Sequence, residues 1–66
     1  MSLKFDIERG VNNGNTNFSC QLFRLMQKAD MFNYGRLASA FPNAAVVFEA
    51  WKAGTDVPDL PYDGSN

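Results

Sequence analysis

Seven carboxylates and one thiol are the side chains of this chain best suited to nucleophilic, acid–base or metal chemistry, because its 66 residues include no histidine. The thiol, Cys20, attacks only as the thiolate, and forming it takes a neighbouring base of the kind histidine supplies. With one cysteine and no histidine, a zinc ion cannot reach its usual four ligands and no intramolecular disulfide can form. Glycoside hydrolysis needs two carboxylates held rigidly across a cleft, whereas three of the seven here, Asp56, Asp59 and Asp63, fall in the proline-containing end of the sequence. Gly10 and Gly14 border an asparagine-rich stretch that lacks the lysine and the strand–loop–helix setting of a phosphate cradle. The sequence thus predicts no enzyme, no metal and no cofactor, and a function that rests on binding.

The elements able to carry a binding surface are helical. From Thr16 to Lys52 nearly every strong apolar side chain falls at helical spacing. The expected fold is all-α, a compact three-helix unit over about 16–29, 33–41 and 42–53 with a short N-terminal helix and an irregular acidic C-terminal tail. Residues 1–53 form one small helical domain in this reading, and 54–66 an acidic tail that contains proline. Near the start, Leu3, Phe5 and Ile7 alternate as in a strand, while Leu3, Ile7 and Val11 repeat as in a helix. A lone strand would leave its backbone groups unpaired, which favours the helix.

In the first helix of the three-helix unit, Thr16 or Asn17 caps the opening turn. Phe18, Leu22, Leu25, Met26 and Ala29 share its inner face, with Phe23 at the edge and Cys20 a partly exposed filler beside the polar arc of Gln21, Arg24, Gln27 and Lys28. In the second, Asn33 is the expected cap, Phe32 staples against Leu37, and Tyr34, Leu37, Ala38 and Phe41 face inward. Pro42 suits the first position of the third helix and Gly54 the position just past its end. Ala44, Val47, Phe48 and Trp51 form the inner stripe of that helix, but Val46, Ala50 and Ala53 form a second apolar stripe on its far side.

A core of this size supplies only about 3–5 kcal/mol of net stability, so association with another protein or with a second copy is expected. Two surfaces suit it: the stripe Val46, Ala50 and Ala53, and the tail residues Asp56, Asp59, Tyr62 and Asp63. The charge is uneven, six cations against four acids through Ala53 and three acids with no cation after it, the asymmetry of an interaction segment. Arg24, Lys28 and Arg36 form the alternative, a small phosphate-binding patch. Nucleic-acid domains are far more basic than this chain, and its last helix offers almost nothing able to read a base edge. No run approaches the roughly 20 apolar residues of a membrane-spanning helix, the N-terminal residues lack a secretory core, and the single cysteine suits a reducing compartment. A cytoplasmic location is expected.

The string Leu22-Phe23-Arg24-Leu25-Met26-Gln27-Lys28-Ala29-Asp30, followed by Asn33, Leu37 and Ala40-Phe41-Pro42, resembles small helical proteins of phages and other mobile elements, among them inhibitors of bacterial defence of the anti-CRISPR type. The likeness covers about half the chain and carries no catalytic signature. It implies a phage-encoded, non-catalytic inhibitor or accessory factor in the host cytoplasm, occupying a surface on a host complex such as CRISPR–Cas. That family's third helix is more charged, and Ala44-Ala45-Val46-Val47 departs from it. A self-assembling structural protein is the alternative from another class.

Overall fold

A computed structural model describes residues 2–64. The Ser2 hydroxyl accepts from the Phe5 N–H at 3.0 Å and opens α1, Leu3–Phe5. This helix runs without a break into a π-helical turn, Asp6–Gly10, closed by the Val11 N–H donating to the Asp6 carbonyl at 2.9 Å. Of the two periodicities in this segment, the helical one holds.

Asn17 caps α2, Phe18–Lys28, its side chain accepting from the Cys20 N–H at 3.1 Å. Only Ala29 and Asp30 separate α2 from α3, Met31–Ala40. The cap of α3 is Asp30, which accepts from the Asn33 N–H at 2.8 Å, so Asn33 donates where it was expected to cap. This moves the helix start two residues earlier and corrects the staple as well. Phe32 becomes the second helical residue and points outward, 81% exposed, because a staple needs the residue before the cap. Pro42 begins α4, Pro42–Ala53, and Gly54 follows it at φ 75°. The Gly54 N–H donates to the Trp51 carbonyl at 3.1 Å and the Thr55 N–H to the Ala50 carbonyl at 3.0 Å, a paired closure that needs the left-handed conformation glycine adopts without strain.

The core joins Leu3 and Ile7 of the first segment to Leu22, Phe23 and Met26 of α2 and to Ala44, Ala45, Val47 and Phe48 of α4. The Phe23 and Phe48 rings stack at 6.5 Å, and Tyr34 and Trp51 lean on Phe48 at 5.8 and 6.0 Å. The inner face of α2 is turned by roughly a quarter of the circle from the expected one. Cys20 and Phe23 are fully buried, whereas Phe18 and Leu25 stay 53% and 48% exposed. The cause is the π-helical turn, which packs against α2 and draws its Cys20 side inward. Meanwhile α3 packs on α4 and buries none of its own residues completely.

Past Gly54 the described residues form neither helix nor strand, yet they follow a fixed path across the molecule. Lys4 donates to the Val57 carbonyl at 3.0 Å, and Val57, Leu60 and Tyr62 pack against the core. Asp63 then reaches the start of α4, where Phe41 provides no side-chain cap. Its two oxygens accept from the Asn43 and Ala44 N–H groups at 2.7 and 3.0 Å, and the Asn43 side chain returns a bond to the Pro61 carbonyl at 3.0 Å. A strap thus closes α4 from twenty residues downstream, and its negative charge suits the positive end of the helix dipole. Asp63→Ala is expected to cost about 1 kcal/mol, read as a lower denaturant midpoint, with Asp63→Asn recovering part of it. A midpoint unchanged by Asp63→Ala would show that the cap carries no weight.

Candidate functional site

Like the Cys20 thiol, the Asp6 carboxyl has no solvent exposure. Its Oδ2 accepts from Asn17 Nδ2 at 3.1 Å and from the Tyr62 hydroxyl at 3.2 Å, whereas Oδ1 has no hydrogen-bond partner among the described residues. One side chain thereby ties the π-helical turn, the cap of α2 and the strap. Cys20 lies beside it, its thiol 4.0 Å from the Asp6 backbone carbonyl. Burial, and then the negative charge of Asp6, push the Cys20 thiol upward, with Arg24 pulling the other way. That environment favours the unreactive thiol over the thiolate, and both groups are sealed from any substrate. Their arrangement joins the first segment, α2 and the strap. Among the described residues no three His, Cys, Asp or Glu side chains converge as a metal cluster, and no helix is long and apolar enough to cross a membrane.

The residues expected to bind a protein lie in separate places. Val46 is 51% exposed on α4, Ala53 is exposed near the end of the same helix, and Ala50 is half-buried. Asp56 and Asp59 project from the strap into solvent, Tyr62 is half-buried and bonded to Asp6, and Asp63, although exposed, is held by its bonds to the start of α4. The three basic residues also divide. Arg24 donates to the Val11 carbonyl at 3.1 Å and holds the loop before α2. Lys28 and Arg36 come together along the angle between α2 and α3.

That angle is an open groove, which the sequence reading missed. The two helices diverge from the Ala29–Asp30 hinge and meet again where the Phe18 and Phe41 rings touch at 5.5 Å. Near the hinge lies a hollow of about 620 Å³ bordered by Leu25, Lys28, Arg36 and Leu37. Toward the aromatic end lies a second, of about 310 Å³, where Phe18 and Phe41 join the same two leucines. Large apolar side chains thus line a concave surface with positive charge at one end only. Helical spacing alone placed Leu25 in the core, because period identifies an apolar stripe without saying which neighbour covers it. The signal available was the two-residue connection, too short to let α2 and α3 share their full length.

On the opposite side of α3, the Tyr34 hydroxyl donates to Glu49 Oε2 at 2.7 Å. Burial, reinforced by this bond and by the Glu49 charge, pushes the Tyr34 pKa up to about 12. The folded state thus favours the neutral phenol. Its contribution is complete below pH about 10, where a free tyrosine ionises, and is lost as pH rises from there to about 12. Ultraviolet titration is expected to show one tyrosine ionising near pH 12, absent in Tyr34→Phe. Ionisation of that tyrosine near pH 10 would contradict the geometry.

No protein-family model, curated protein or solved structure matches the chain.

Proposed function

We propose that this chain is a non-catalytic binding module that docks on another protein through the face formed by α2 and α3, acting as an inhibitor or accessory factor. The observation that carries this reading is α3 itself. A ten-residue helix with no completely buried side chain, set beside half-exposed Phe18 and Leu25, leaves apolar surface that a small domain ordinarily covers. Phe32, 81% exposed, adds apolar surface near the hinge, while Met31, 87% exposed, lies with Tyr34 on the opposite side of α3. The likeness of the α2 sequence to phage inhibitors of bacterial defence supplies the class of partner, a host complex such as CRISPR–Cas. Val46 ranks second as a docking point because it is a single large apolar side chain flanked by alanines.

Leu25→Asp tests the reading. Leu25 is half outside already, so the substitution is expected to leave the folded state nearly unchanged, within about 0.5–1 kcal/mol. Immobilised protein should lose the partners it captures from a bacterial lysate by more than about tenfold, while Val46→Asp keeps them. The reverse pattern would move the docking face to α4, and retention by both variants would sink the proposal. Solution mass separates the other class of function: an oligomer that Leu25→Asp dissolves assigns this face to self-assembly.

A further inference from the structure

We infer that the occupant of the α2–α3 groove is an amphipathic helix of a partner protein with its acidic residues at the hinge end, an inference that rests on the docking role proposed above. The groove has the dimensions of such a helix. Between Gln21 and Lys28, α2 rises about 10 Å, so about two turns of a partner helix fit between the hinge and the Phe18–Phe41 contact. Leu25 and Leu37 line both hollows, which gives a continuous apolar floor for side chains repeating along one face, the pattern by which helices dock in grooves.

Charge fixes which way the helix lies. Lys28 and Arg36 are exposed at the hinge end, and neither is in an ion pair among the described residues, where the salt bridge is Lys4 with Glu8. Asp30 lines the same hollow and keeps its charge while accepting from the Asn33 N–H, so the hinge end carries two cations against one acid. The aromatic end contributes Gln21 and no charge. An acidic group on the occupant is therefore attracted to one end only, and a basic one is repelled there.

The chain itself is a poor occupant. Its apolar strap residues Val57, Leu60 and Tyr62 are packed against its own core. A second copy docked face to face about a two-fold axis along the groove would stack the two positive ends, and one related by an axis across it would set Lys28 and Arg36 against the uncharged aromatic end, so neither arrangement brings them a net negative charge from the groove.

The test uses the full chain and two synthetic helical peptides with leucines along one face, one carrying glutamates at one end and the other lysines in their place. Nitrogen–proton correlation spectra follow the amides. The glutamate peptide is expected to shift Leu25, Arg36 and Leu37 and to bind at least about tenfold more tightly than the lysine peptide at low ionic strength. Arg36→Glu, an exposed change whose helicity is checked by circular dichroism, should reverse the preference. Equal binding of the two peptides, binding of neither, or shifts confined to α4 and the strap overturns the inference. Concentration-dependent shifts of the groove amides without peptide overturn it in favour of a second copy. Equal binding combined with loss of partner capture by Leu25→Asp removes only the acidic-helix inference, whereas partner capture that Leu25→Asp leaves intact removes the docking role itself.

Discussion

Phe23→Ala is expected to leave the chain largely unfolded at 25 °C. Phe23 has no exposed surface, and its ring stacks on Phe48 between α2 and α4. Truncating a buried phenylalanine costs about 3–5 kcal/mol in lost transfer energy and residual cavity, and a domain of this length has about 3–5 kcal/mol in total. Far-ultraviolet circular dichroism should show most of the helical signal lost and no cooperative melt. Phe32→Ala makes the same chemical deletion at an exposed position and should change stability by no more than about 0.5 kcal/mol. A cooperative Phe23→Ala melt within a few degrees of the parent chain would show that the core does not rest on this ring.

Gly10→Ala sets two effects against each other. Alanine in place of glycine favours a helical backbone by about 1 kcal/mol, and Gly10 is not among the positive-φ glycines, so its backbone gives no reason to resist the change. Space does. A Cβ there would lie 2.7 Å from the Cys20 sulfur and 3.3 Å from Asp6 Oδ1. The sulfur is buried and cannot swing into solvent, so overpacking of about 1–3 kcal/mol is expected to win. Chemical denaturation should find Gly10→Ala less stable than the parent. Adding Cys20→Ala removes the obstructing atom, and the double variant should exceed the sum of the single effects by about 1 kcal/mol. Strict additivity would show that the close approach is relieved in another way.

These two sites show where sequence reasoning reached and where it stopped. The caps and stops are local chemistry, so Asn17, Pro42 and Gly54 bound their helices as their residue types predict. Leu3, Ile7, Ala44, Val47 and Phe48 enter the core as their spacing predicts. What local pattern could not give was the rotation of α2. Its apolar residues span a broad arc, and the side that faces inward was decided by the π-helical turn packing against it. Asp6 was hidden for a related reason, since a buried carboxyl is readable only once Asn17 and Tyr62 are known to converge on it. Phe41 did carry a signal. A poor capping residue before Pro42 leaves the next amides without a local acceptor, open to water or to a remote group, and Asp63 is that group here.

The strap also dictates an order in time. The bonds from Lys4 to Val57 and from Tyr62 to Asp6 join residues 53 and 56 positions apart, whereas the bonds within each helix join near neighbours. Closing so long a loop carries a chain-entropy cost that short-range pairs escape. On refolding, α2, α3 and α4 can form from near-neighbour bonds before Tyr62 and Asp63 reach Asp6 and the start of α4. Until they do, water serves those groups, and docking of the strap turns a cluster of helices into a closed fold.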